Sequence, residues 1–160
     1  MRFPRHLARL QPNGYTCGPS ALRHALLCYG VRRSLKWIAS VCAADSEGTN
    51  EVHLRCAARA AGYRLEYAKF ATAELARETI TWHVRHGHPV LLCVDTATDG
   101  PWQHWIAVVG AGAYGVTVAD SARPGPVVRK HSWRALMRRL AVWETGKTNR
   151  YDVYYLVTAP

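Results

Sequence analysis

Hydrophobic positions recur with a helical period through the first half of the chain and with the period of strands through most of the second. Cys17, Ala21, Leu22, His24, Ala25 and Leu26 stand three and four apart, which makes one buried face of a helix that Cys17 opens. Residues 34–43 read as a short amphipathic helix with Ser34 as its N-cap. After a turn at Glu47-Gly-Thr-Asn50, Asn50 caps a helix carrying Val52, Leu54, Cys56, Ala57 and Ala60, and Gly62 stops it. Tyr63 to Phe70 alternates as a strand, and residues 73–86 form a further helix. The segments 89–94, 104–109, 115–119 and 151–157 are rich in β-branched and aromatic residues and read as strands, with 111–115 as a hairpin turn. Residues 132–140 return to helix, with Trp133, Leu136, Met137 and Leu140 on one face and Arg134, Arg138 and Arg139 on another. Helices followed by successive strands predict an α+β fold, an N-terminal helical lobe packed on a C-terminal antiparallel sheet with a cleft between them.

The entrance of the first helix is where chemistry concentrates. Gly18 permits close backbone approach, and Pro19 suits the first turn because it lacks an amide hydrogen that would go unpaired there. Unpaired amides and the positive end of the helix dipole therefore surround the Cys17 sulfur, a setting that lowers a thiol pKa from its free value of about 8.5. A thiolate attacking a carbonyl needs donors for the oxyanion that forms. Gln11 is the candidate, with the Cys17 amide beside it, if the Pro12-Asn13-Gly14 turn folds the two positions together. A small buried cysteine beside a polar loop is the bland alternative.

The base comes from the other half of the chain. His104 begins one strand of the predicted hairpin and Asp120 ends the next, so antiparallel pairing about Gly112 brings them to the same end of the ladder. A carboxylate beside imidazole fixes its tautomer and stabilises its charged form. Cys17, His104 and Asp120 form a candidate triad, and Trp102, Gln103 and Trp105, which flank the histidine, are candidates for lining a substrate cleft.

These segments resemble the papain-like cysteine peptidases of the bacteriocin-leader-processing, or double-glycine, family and their stand-alone relatives. Gln11 with Cys17-Gly-Pro-Ser-Ala-Leu22 is similar to the family's oxyanion glutamine and nucleophile helix, Glu47-Gly-Thr-Asn50 to its next block, and His104-Trp-Ile-Ala-Val-Val-Gly110 to its histidine strand. Val118-Ala-Asp120-Ser121 is similar to the segment carrying the third catalytic residue, with Asp-Ser where many members have Asp-Pro. In the best-known members the peptidase precedes a membrane transporter; here it is expected to stand alone. The resemblance implies a papain-like fold over residues 1–160 as one domain. It also implies hydrolysis of a peptide or isopeptide bond, with a glycine pair before it as one option and the scissile bond left open, and catalytic roles for Gln11, Cys17, His104 and Asp120. An amine in place of water as acceptor makes the same constellation a transglutaminase-like acyl transferase, and a catalytically silent binding module that keeps the fold is a further alternative.

Composition adjusts this picture at its edges. With 160 residues, 49% of them hydrophobic, the chain can bury a sizeable core. No stretch has the length and apolarity of a membrane span or a secretory signal, and five cysteines without a C-x-x-C pair fit reduced thiols, so a cytoplasmic setting is expected. His83-Val-Arg-His86-Gly-His88, with Cys93 beyond it, matches no four-ligand zinc signature and reads as a helix end running into a loop; no metal and no cofactor are expected. A net charge of +10 favours acidic partners. No nucleic-acid-binding motif accompanies that charge, so an acidic peptide or protein substrate is preferred over nucleic acid.

Overall fold

A computed structural model describes residues 2–95, 103–122, 126–142 and 150–159. Helix α1 (Cys17–Cys28) packs chiefly on strand β3 (Gln103–Ala111) of a sheet whose strands pair in the order β1 (Tyr63–Phe70), β7 (Arg150–Thr158), β2 (Val90–Asp95), β3, β4 (Gly115–Ala119), β5 (Val128–Ser132). The short β6 (Ala141–Val142) pairs with β7, and every pairing is antiparallel.

The helices begin where capping chemistry lets them. Ser34, Asn50 and Thr72 each accept a hydrogen bond from the backbone N–H three residues on, opening α2 (Leu35–Val41), α3 (Glu51–Ala60) and α4 (Ala73–Arg85). Gly62 ends the turn after α3 at φ +87°, a conformation that costs glycine least. Asn50→Ala is expected to cost about 1 kcal/mol of stability in a urea titration, because the His53 amide then loses its acceptor.

Hydrophobic cores lie on both faces of the sheet. Leu22, Leu26, Ile38 and Leu54 from α1, α2 and α3 meet Leu91, Trp105 and Leu156 on one face. Ile80 from α4 and Leu136 and Leu140 from α5 (Trp133–Leu140) meet Leu92, Ile106, Val118 and Val153 on the other. Successive residues of β2 alternate between the two cores, which is why that segment reads as an unbroken apolar run. The sequence pattern places α4 with the N-terminal helices, yet it covers the opposite face. Its position follows from topology: β1 and β2 both run antiparallel to β7, hence parallel to each other, and only a crossover helix over one face can join them. The apolar face of α5 is wholly buried, so the stripe seen in its sequence serves the core.

The hairpin of β3 and β4 is also shifted. Ala107 pairs with Ala119, and Gly112 N–H donates to the Gly115 carbonyl, so the turn centres beyond Gly112 and a bulge lies between Val108 and Gly110. Continuing this register sets Asp120 opposite Ile106, two positions from His104. A displacement of two preserves the face of every side chain, so His104 and Asp120 still project to the same side. Among the described residues no helix is long and apolar enough to cross a membrane.

Candidate active site

Cys17 occupies the first position of α1, where its amide has no partner within the helix. The loop before it is tied by Asn13, whose Oδ1 accepts from the Tyr15 and Thr16 amides and from the Thr16 hydroxyl at 2.8 Å. Gly18 brings the helix against its surroundings: a Cβ there would stand 3.1 Å from Thr49 Cβ and 3.4 Å from Trp105 Cδ1. Trp105 in turn donates its indole N–H to the Thr49 carbonyl at 3.0 Å, fastening the 47–50 turn beside the helix entrance.

His104 and Asp120 are both buried, 5% and 2% exposed, with Nε2 and Oδ1 2.8 Å apart. Asp120 Oδ1 also accepts from the Ala122 amide at 3.0 Å, and the Arg129 guanidinium lies 3.9 Å from Oδ2. Nε2 is engaged by the carboxylate, and the Cys17 thiol lies close enough to the ring for each group to shift the other's proton affinity. Burial alone would lower the His104 pKa; the Asp120 hydrogen bond, the thiol and their charges reverse that and raise it to about 9. Burial likewise pushes the Cys17 thiol up, but the His104 hydrogen bond, the Trp105 and Gly18 amides and the imidazolium charge together bring it below its ordinary value. Asp120, held by His104, the Ala122 amide and Arg129 against its own burial, falls to about 2.

Gln11 is fixed at three points. Its side-chain Nε2 donates to the Asn13 carbonyl at 2.7 Å, its Oε1 accepts from Ser121 Oγ at 2.8 Å, and its backbone N–H donates to the Ser121 carbonyl at 3.1 Å. The structure thus brings Cys17, His104 and Asp120 together, with His104 and Asp120 hydrogen-bonded, and sets Gln11 beside Ser121, the residue that follows Asp120. Gln103 is exposed and accepts weakly from the Cys93 thiol at 3.6 Å, Trp105 is enclosed in the core with Cys17, and Trp102 lies outside the described residues.

Ser121, Asn13 and Arg129 are the neighbours that sequence reasoning did not assign. The Asp-Ser pair at 120–121 was visible, but a hydroxyl's partner 110 positions away has no local signature. All five cysteines are free, and burial raises Cys28, Cys42 and Cys93 to about 12, which sets Cys17 apart from them. His83 and His88 approach at 3.4 Å between Nδ1 atoms, and His83 stacks on Tyr155, but among the described residues no group of three or more potential ligands forms.

A model of the Peptidase C39-like family matches residues 5–149. An uncharacterized protein of Methanothermobacter marburgensis is 31% identical over 112 residues, covering 70% of this chain and 69% of its own. Among solved structures, the peptidase domain of Streptococcus ComA, a bifunctional ABC transporter of a quorum-sensing pathway, superposes with a TM-score of 0.71 at 17% identity, covering 95% of this chain and 98% of that one. A double-glycine-motif protease from an AMS/PCAT transporter, solved with its leader peptide, superposes with a TM-score of 0.67 at 15% identity over 96% of this chain and 91% of that one.

Proposed function

The chain belongs to the Peptidase C39-like family, with a papain-like fold, and from that premise we propose that it is a cysteine peptidase that cleaves a peptide or isopeptide bond following a glycine pair. The observation that carries this reading is the buried His104–Asp120 hydrogen bond, with the Cys17 thiol at the helix entrance close enough to the ring for each to shift the other's proton affinity. Residues 1–160 act in it as one peptidase domain.

The steps follow from which atom holds the proton. His104 draws the thiol proton onto its ring, and the resulting thiolate and imidazolium stabilise each other. Sulfur attacks the substrate carbonyl, forming a C–S bond while the carbonyl electrons move to oxygen. The second N–H of the Gln11 amide and the unpaired amide of Cys17 meet that oxyanion. As the intermediate collapses, the imidazolium gives its proton to the departing amine; water then attacks the thioester with His104 as base and restores the thiol. Asp120 orients the ring throughout. The glycine pair before the scissile bond is carried over from the double-glycine-motif protease of the same fold, solved in complex with its leader peptide.

The direct test is an electrophilic peptide probe ending in Gly-Gly, followed by mass mapping. Modification is expected at Cys17; preferential modification of Cys28, Cys42, Cys56 or Cys93 would refute the assignment. Turnover of a cleavable peptide containing Gly-Gly, with and without an added amine, separates hydrolysis from acyl transfer, since an amine adduct on the released acyl fragment appears only for transfer.

Gln11→Ala is expected to lower kcat by on the order of 100-fold, the usual cost of one oxyanion donor. Ser121→Ala leaves the donor in place and removes only its anchor, so a loss of about 3–10-fold in kcat with little change in KM is expected. Equal losses in the two variants would mean that the donor fails without its anchor, whereas a matching drop in Tm would mean that Ser121 supports the fold.

A further inference from the structure

A second polar site lies behind the nucleophile helix. A cavity of about 320 Å³ is lined by Arg9, Ser20, Arg23, His24 and Ser34. Ser20 and His24 stand one turn apart on α1 and are 3% and 1% exposed, yet Ser20 Oγ and His24 Nδ1 have no hydrogen-bond partner. The His24 tautomer follows from its other nitrogen: Nε2 accepts from the Arg9 amide at 3.3 Å, so in the neutral ring Nδ1 carries the hydrogen. Burial and the charge of Arg23, against the opposing charge of Asp120 and the Arg9 amide, hold that ring neutral, near a pKa of about 4.

His24 Nδ1 is therefore a donor, and the Ser20 hydroxyl is free to donate as well. Leaving buried donors unpaired is costly, and native proteins avoid it. The charges beside them have the same character. Arg9 and Arg23 repel each other closely enough to lower the Arg23 pKa along with its burial, and their guanidinium hydrogen bonds go to the backbone carbonyls of His6, Ala8 and Leu7. Neither makes a salt bridge among the described residues.

A cavity whose wall offers hydroxyl and imidazole donors and two cations beside Leu10 and Leu35, with no acid among its lining residues, is complementary to a small negatively charged acceptor. We propose that this cavity binds a small oxyanion, of the carboxylate or phosphate kind, whose oxygens accept from Ser20 Oγ and His24 Nδ1 and whose charge is met by Arg9 and Arg23. The bound group joins two pieces of chain that matter to catalysis: Arg9 lies two positions before Gln11, and Ser20 three positions after Cys17. It would clamp the strand of chain carrying Gln11 onto the nucleophile helix. The site stands independently of the peptidase reading.

The test is thermal unfolding of the whole chain in increasing inorganic phosphate at pH 7, with sodium chloride holding ionic strength constant so that general screening of the basic surface cancels. The expected result is a saturable rise in Tm of about 2–4 °C for the parent, with a midpoint at least about 10-fold weaker in Arg23→Gln. In parallel, the His24 ring resonances should move with the same midpoint, a readout that a fold defect in the variant does not touch. An unchanged His24 signal, or an equal Tm response in Arg23→Gln, would overturn the proposal. Competition by N-acetylglutamate amide, with N-acetylglutamine amide as control, then identifies the source of the oxyanion. Displacement of phosphate by the glutamate alone marks an acidic side chain of a peptide, and its absence marks a free anion.

Discussion

His104→Ala is expected to lower kcat by on the order of 10⁴-fold or more, because the imidazole serves both halves of the reaction and such units lose nearly everything when one member is removed. The sulfur itself should report the change without any substrate. In the parent, the His104 hydrogen bond and charge oppose the burial that would otherwise keep Cys17 protonated. At pH 6 an ordinary thiol near 8.5 is less than about 1% ionised, so a paired Cys17 has a large advantage in thiolate fraction, offset in part by the lower nucleophilicity of a low-pKa sulfur. Alkylation of Cys17 by iodoacetamide at pH 6 should therefore be about 10–100-fold faster in the parent than in His104→Ala. Cys28, Cys42 and Cys93, pushed to about 12 by burial, should remain unmodified in both proteins and serve as internal controls. Equal alkylation rates at Cys17 in the two proteins would show that the imidazole does not hold the thiol proton, and the proposed mechanism would fail.

How much of this arrangement can be read from the chain alone depends on whether its cause is local. Helix starts at Ser34, Asn50 and Thr72 depend on a side chain three residues from its partner, and the strand 63–70 on alternation against one neighbour, so both kinds of element show in the sequence. The edge strand β5, Val-Arg-Lys-His-Ser, shows no alternation because much of its surface faces water, and its pairing with β4 is backbone to backbone. The face taken by α4 depends on β7, which is inserted between β1 and β2 from the far end of the chain. The same division runs through the site. Cys17 at a helix entrance has a local signature, and His104 and Asp120 are linked by a hairpin whose period of two tolerates the displaced turn. Gln11 depends on Ser121, and the donors at Ser20 and His24 on a strap that folds back over α1; those relations exist only in three dimensions.

Asp120 gives the prediction that separates chemistry from scaffolding. Against opposing burial, its carboxylate is the largest cause of the rise in the His104 pKa to about 9, and it acts through both a hydrogen bond and a charge. Asparagine keeps the size of the side chain and removes the charge. In the parent, kcat/KM should hold through neutral pH and fall as pH rises through about 9, where the imidazolium loses the proton that the leaving amine requires. Because thiol and imidazole titrate together, this limb belongs to the pair. In Asp120→Asn the limb should move at least about one pH unit toward acid, with a loss of about 100-fold at pH 7. Stability follows the same groups with opposite signs. A histidine whose folded pKa is raised contributes fully below its ordinary 6.5 and loses that contribution as pH rises through about 9. A carboxylate depressed to about 2 contributes above its ordinary 3.8 and loses it as pH falls toward 2. Asp120→Asn should therefore flatten both limbs of the stability profile while shifting the activity limb. A variant that lost activity with its alkaline limb still near 9 would place Asp120 in the scaffold alone, since a group that only supports the fold has no means of setting the proton affinity of His104.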